Sequence, residues 1–504
     1  MPSTRTTPRQ SALSTALAKN RLGVAGVGLS VASSVAPLTV VAGVVTTGMA
    51  VTGQTGVSIA LIAVALVLII FVVGYVAMAR HITNAGAFYA YVAQGIWRPA
   101  GVGASWIALV AYNGFLCAAY GGLGFLAAPL LQSWFGLDVP WWAISLVAWL
   151  LVGVLGIRDV GISEKVLAVL VLAETALVLL YSFAILFSSD FNYSTHSLQP
   201  SNLWGPGAGA LVVIGATAFV GVEQGAVYVE ESRDPRKTVP RATYLTIILI
   251  AVLYAFASWV QISAAGDQAV DRAVKEGPDL FFNLAAVPLG SWAVDVGHVL
   301  FVTSLLAAMI AFHNIIARYM FALGRESVLP RVFGRTNGGA PRNSSLVLSL
   351  FSLIVIAVYA VAGWDPLVQL FFWGGSVGAI GVLLLLTLTS IAVICYFARH
   401  PQDENAWHRI GAPAIATVLL IVISYLALTN LPVLFGVDPG TGPAVATPLV
   451  FGLVFLGGIL WGLALKVTRP AVYEGIGLGA RSAVASTTGF SNIFDETDAM
   501  ERRR

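Results

Sequence analysis

Two carboxyl side chains sit in the middle of long apolar runs. Glu174 lies in Val171-Leu172-Ala173-Glu174-Thr175-Ala176, and Glu223 in Phe219-Val220-Gly221-Val222-Glu223-Gln224-Gly225. A charge at the centre of a bilayer is unfavourable by at least about 2.5–3.5 kcal/mol, so such a group must face other protein, be neutralised, or meet a cation. Burial disfavours the charged form of a carboxyl, which suits a group that takes up and releases a proton. Glu174 is read as such a coupling group, against the plainer reading of a protonated side chain bonded to a neighbouring helix. Glu223 either holds a ligand ammonium or braces an opened stretch of backbone. His313 follows Phe312 in a third apolar run and is a candidate gate, although a lone apolar-face histidine is more often a satisfied core residue.

The elements that carry these groups are set by composition. Of 504 residues, 58% are hydrophobic and 10% charged, against about 25% charged in an ordinary soluble domain. Blocks such as 57–79, 165–187, 244–265 and 376–398 are close to free of charge. Their lengths match the roughly 20 residues an α-helix needs to cross the hydrocarbon core. Lipid leaves no water to pair with backbone, so helices are expected, and the 10-residue alternation of a membrane barrel is missing. The expected fold is an all-α integral membrane protein with twelve spans, near 24–49, 57–79, 101–131, 140–156, 162–187, 207–229, 241–265, 291–323, 345–363, 367–398, 410–430 and 447–467.

Orientation follows from lysine and arginine in the loops. With the N-terminus inside, 25 of the 27 basic residues fall on the cytoplasmic side, and only Arg272 and Lys275 fall outside. That sorting needs an even number of spans. Residues 1–21 read as a retained cytoplasmic tail without the apolar core of a secretory signal. Residues 469–504, rich in Gly, Ser, Thr and charge, read as a disordered cytoplasmic tail. Cys117 and Cys395 both fall in apolar blocks and imply no disulfide framework. Asp295 and His298, an i, i+3 step apart, could pair on one helix face or gate the outer vestibule, against the default reading of hydrated side chains.

Two spans are interrupted. The first reads Gly28-Leu29-Ser30-Val31-Ala32-Ser33-Ser34-Val35-Ala36-Pro37, where proline removes a donor and small residues let backbone open. The sixth carries Gly215, Gly221 and Gly225 around Glu223. The breaks fall at matching places if the chain is divided into spans 1–5 and 6–10, the sequence pointer to a transporter site. Unpaired N–H groups at one half-helix start attract an anion, and unpaired carbonyls at the other end attract a cation.

Three stretches then resemble permeases of the amino acid–polyamine–organocation superfamily. They are Ala218–Gln224 followed by Glu230-Glu231-Ser232-Arg233-Asp234-Pro235-Arg236-Lys237-Thr238-Val239-Pro240-Arg241-Ala242, Asn84-Ala85-Gly86-Ala87-Phe88-Tyr89-Ala90-Tyr91, and Arg318 through Gly324-Arg325-Glu326-Ser327-Val328-Leu329-Pro330. They lie in the order the resemblance expects, over roughly 22–470. The resemblance implies a LeuT-like fold: a core over 22–400 made of inverted halves 22–190 and 205–400, two further helices over 408–468, and alternating access. Many members have Gly-Ser-Gly in the first break; here Ala32-Ser33-Ser34-Val35-Ala36-Pro37 stands there, which narrows or reshapes the pocket.

The substrate contacts so implied are Ser33, Ser34, Val35, Ala36, Phe219, Val220, Gly221, Glu223 and Phe312, with Phe219 and His313 as gates and Glu174 as coupling group. The cluster Glu230, Glu231, Arg233, Asp234, Arg236 and Lys237 is either an inner latch with Arg98 or Arg325 or a solvated loop. Expected partners are an amino acid or amine, a coupling proton (sodium being the other candidate ion) and the lipid bilayer; the oligomeric state is not legible. No cofactor or nucleic acid is called for. The sequence contains no Gly-x-x-x-x-Gly-Lys-Ser/Thr phosphate loop. The leading expectation is a proton-coupled amino acid symporter. The alternatives are an amine importer or exchanger and, of another class, a nutrient sensor that moves nothing.

Overall fold

A computed structural model of the chain describes residues 22–479, apart from 158–159, 190, 205–206, 337–339 and 402. The tails 1–21 and 480–504 lie outside the described residues, as does Arg158. Within them every long apolar block is a helix. We label these α1 (Val24–Thr52), α2 (Val57–Ala79), α3 (Arg98–Phe135), α4 (Trp141–Ile157), α5 (Val160–Leu186), α6 (Ala208–Tyr228), α7 (Pro235–Ala265), α8 (Trp292–Arg325), α9 (Arg342–Ala362), α10 (Pro366–Arg399), α11 (Trp407–Thr429) and α12 (Gly442–Thr468).

Among the described residues, eleven helices are long and apolar enough to cross a membrane. α4 is the remaining labelled helix. Its 17 residues reach about 25 Å at 1.5 Å per residue, short of the roughly 30 Å core. The chain is therefore an all-helical, multi-pass membrane protein. Its outward side chains agree, since Val147, Val252, Val361 and Leu453 are 64–90% exposed, a surface that water would not tolerate over so wide a band.

α3 lies at the centre of the packing, against α8, α10 and α12, while the first half of α1 packs against α5, α7 and α8. Close crossings depend on small residues: a Cβ added to Gly458 of α12 would stand 2.6 Å from the Gly103 Cα of α3.

Three expectations change. The segment after the last span is ordered as far as Gly479, with a short helix Pro470–Gly475 and a strap beyond it. The reason is specific: Gly477 and Gly479 donate backbone N–H groups to Glu326, each at 2.7 Å. Residues 269–289, left between the expected spans 241–265 and 291–323, form helices Ala269–Glu276 and Asp279–Leu289. Asp295 and His298 do not pair with each other. His298 meets Asp279 at 2.8 Å and Asp295 accepts from the Trp134 indole at 3.3 Å.

Candidate functional site

Both expected interruptions are present and they touch. In α1 the regular helix ends at Val35, and Ala36 adopts a left-handed conformation with φ 50° and ψ 72°. Pro37 has no N–H to continue the ladder, and a π-helical turn, Thr39–Val44, carries the chain on. Alanine in this region is disfavoured by about 1–2 kcal/mol, so the surroundings must hold it there. In α6 the helix stops at Thr217, and Gly221, at φ 112°, restarts it as the 3₁₀ turn Val222–Tyr228. Gly221 also needs its missing side chain: a Cβ there would lie 2.6 Å from Ser34 Oγ.

The backbone freed by each break is met by a carboxylate. Glu223 folds back and accepts the Gly221 N–H on Oε2 at 2.8 Å, and its Oε1 accepts from the Tyr112 hydroxyl at 2.9 Å. The Tyr75 hydroxyl donates to the Glu223 carbonyl at 2.7 Å. The other donors of the break, at Phe219, Val220 and Val222, bond to Ala216, Thr217 and Phe219 carbonyls. The anion-seeking N–H groups expected at this restart are thus already taken, because Glu223 lies two residues from the donor it caps.

Glu174 does the same for α1. Its Oε2 accepts the Leu38 N–H at 3.2 Å, placing a carboxylate at the start of the resumed helix, where the dipole favours negative charge. The same oxygen accepts from the Ser304 hydroxyl of α8. Ser304 in turn meets Thr39 Oγ1 at 2.9 Å. Oε1 is buried without a hydrogen-bond partner among the described residues.

A cavity of about 170 Å³ opens between the breaks and runs along the second half of α1 as far as Val51. Ser34, Val35, Ala36 and Thr39 line it on α1, Val220 on α6 and Phe312 on α8. Phe312 stacks on Phe115 at 5.2 Å with the rings nearly parallel. Among the described residues no charged side chain lines this cavity.

Of the residues the sequence singled out, Ser34, Val35, Ala36, Val220 and Phe312 come together there, with Gly221 at the Ser34 contact. The others stand apart. Ser33 Oγ donates to the Leu29 carbonyl at 2.8 Å, with the Leu167 carbonyl of α5 at 3.3 Å. Phe219 packs on Tyr254 of α7 and, with Glu223, borders a smaller neighbouring space. His313 is buried and bonds Ser345 of α9 at 2.7 Å, while a Cβ on Gly156 of α4 would collide with its ring. It faces away from the cavity.

One end of the bundle is shut by ion pairs that the sequence left ambiguous. Glu231 and Arg318 form a two-pronged pair at 2.6 and 3.2 Å, with both side chains no more than 2% exposed. Arg318 also lies over the Tyr228 ring. Glu230 and Arg325 form a second such pair at 2.6 and 2.7 Å, and Glu230 Oε1 accepts the Ala85 N–H. Asp234 and Lys237 stay exposed, so one part of the cluster is held in buried ion pairs and another part is solvated.

The sequence missed Tyr112, Tyr75, Ser304 and Thr39. The available signal was that a tyrosine or serine in an apolar span must find a partner for its hydroxyl; it does not say which partner.

Comparison with known proteins identifies the family. The family model described as amino acid permease matches residues 17–459. The chain is 24% identical to an aromatic amino acid transport protein of Corynebacterium glutamicum over 77% of this chain and 84% of that one. It is 24% identical to a branched-chain amino acid permease of Bacillus subtilis, over 54% and 55% of the two chains. It is 26% identical to a low-affinity putrescine importer of Escherichia coli, over 51% and 57%. A match across most of the chain, on a bundle of membrane-crossing helices, makes this chain a member of the amino acid permease family, a transporter and not an enzyme.

Proposed function

We propose that the protein carries neutral amino acids with apolar side chains across the cytoplasmic membrane by alternating access, coupled to protons. The observation that carries this reading is the cavity between the two breaks, walled by Val35, Ala36, Val220 and Phe312 with no charged side chain among its described residues. An apolar side chain gains by burial there and the zwitterionic backbone of an amino acid carries no net charge, whereas a diamine would bring two positive charges with no acidic side chain to balance them. The amine alternative draws on the likeness to the putrescine importer and needs Glu223 as ammonium partner, yet Glu223 borders the smaller neighbouring space and does not line this cavity.

Coupling is assigned to Glu174. The hydrogen-bonded series Thr39, Ser304, Glu174 runs from the cavity wall to the carboxyl, and Glu174 also holds the Leu38 N–H. Loading a proton on Glu174 weakens its grip on the restarted helix, so substrate and proton act on one hinge. The unpartnered Oε1 leaves a position for that proton. We take α4 as a thin twelfth span, α1–α5 and α6–α10 as inverted halves of a LeuT-like core, and both termini as cytoplasmic. In that orientation the cavity faces outward and the Glu231–Arg318 latch closes the cytoplasmic side.

Uptake into proteoliposomes tests the whole reading. Phenylalanine or leucine should accumulate under an inward proton gradient, and putrescine should not. Preferred accumulation of putrescine would overturn the substrate assignment, and no accumulation of any amino acid or amine would overturn transport itself.

A further inference from the structure

The end of the bundle that carries the ion-pair latch also holds a second, very different cavity. It measures about 380 Å³ and lies between the short helix Phe88–Gly95, the ends of α3 and α10, and the strap after α12. Arg98, Arg399 and His400 line it together with Gln94 and Tyr473. Lys466 stands at its margin, 5.8 Å from the Tyr473 ring, and Arg98 lies over the same ring at 5.4 Å.

Among the described residues these cations form no ion pair with a carboxylate. Among the described residues Arg399 donates to the backbone carbonyls of Cys395 and Gln94. Among the described residues no carboxylate lines the cavity, and no ion pair involves Arg98, Arg399 or Lys466. Gathered like charges repel unless an anion joins them. Trp97, 43% exposed at the rim, is the residue type that settles at the headgroup level of a bilayer. A basic pocket between helix ends at that level suits an anionic headgroup.

We propose that this cavity binds the phosphate of an anionic phospholipid, with Arg98 and Arg399 as its principal partners. The strap makes one wall: Gln94 holds the Gly477 carbonyl at 2.6 Å, and Glu326 holds the Gly477 and Gly479 N–H groups. The site is complete only with the strap docked. It lies on the face proposed as cytoplasmic, but its binding can be measured in micelles, so that the result does not depend on orientation or on transport.

Native mass spectrometry of the full chain in detergent provides the test, with phosphatidylglycerol, phosphatidylcholine and inorganic phosphate as probes. Phosphatidylglycerol should be retained over phosphatidylcholine, and R98Q/R399Q should weaken it by roughly 10- to 30-fold, as two lost cations imply. R331Q, which removes an exposed cation elsewhere, should change little. E326A gives an independent arm. It removes a negative charge yet should weaken retention by releasing the strap, whereas a merely basic surface would bind more tightly. Displacement of the lipid by inorganic phosphate would identify a soluble phosphate as the occupant of the same site. Equal retention of both lipids, or equal loss in R331Q, would overturn the proposal, as would tighter binding by E326A.

Discussion

Ser34 and Gly221 hold the two broken helices at a distance that admits no atom between them. Ser34 Oγ lies 3.4 Å from the Gly221 carbonyl and would be 2.6 Å from a Gly221 Cβ. Gly221→Ala should therefore fail twice, by that collision and by its φ of 112°. Thermal unfolding in detergent should show a clear loss, with the left-handed backbone alone contributing about 1–2 kcal/mol. Adding Ser34→Ala removes the closest contact but leaves Ser34 Cβ at 3.1 Å and the dihedral unchanged, so the double variant should recover only in part. Full recovery would show that the backbone conformation is not strained.

Glu174→Gln keeps the shape of the side chain and removes the exchangeable proton. Uptake of a neutral amino acid should cease to respond to a pH gradient, while exchange of labelled for unlabelled substrate continues. Gradient-driven accumulation equal to that of the parent would remove Glu174 from the coupling step.

If Glu223 braces the break, Glu223→Gln should weaken transport of every substrate alike and lower thermal stability. The Gly221 N–H would lose a charged acceptor, and such bonds contribute about 1.5–3 kcal/mol. A loss confined to cationic ligands would instead make Glu223 an ammonium partner.

Removing either member of the Glu231–Arg318 pair leaves the other buried and unbalanced, with an expected loss of about 3–5 kcal/mol. Replacing both, as in Glu231→Gln with Arg318→Met, should be milder than either single change. Cysteine labelling near Tyr228 should rise in the single variants as the latch opens.

Glu404 offers a pH test outside the membrane-crossing helices. Burial opposes its ionisation, but the His408 hydrogen bond and the Arg80 charge together outweigh this and hold its carboxyl below the usual range. A lowered folded-state value contributes stability above the unfolded value, near pH 4.3, and loses it as pH falls through the folded one. Glu404→Gln should thus lower the melting temperature at neutral pH, and the difference should shrink below about pH 4. A difference that grew on acidification would contradict the assignment.

The course of the helices was legible because lipid allows few solutions: the expected span 57–79 coincides with α2, and both breaks lie where Pro37 and Gly221 placed them. Glu174 stood out for the same reason, as an ionisable group in an apolar run that must meet other protein, and it meets the Leu38 N–H. What stood opposite was not. Nothing in the apolar run around Ser304 distinguishes it from a packing serine, and only the fold brings it to Glu174. His313 looked equally informative and turned instead toward Ser345. The strap was misread because glycine and polar residues signal disorder until a buried carboxylate across 151 residues of sequence collects their N–H groups.

The Glu231–Arg318 pair also governs what cannot happen. Two charges this dry gain from full contact or from full hydration, and lose both when drawn a few ångströms apart. A gap wide enough for an ion to slip through is the least favourable opening of all. In the proposed alternating-access cycle, such a pair would make the cytoplasmic gate bistable and suppress leakage between turnovers, without any need for a tighter constriction.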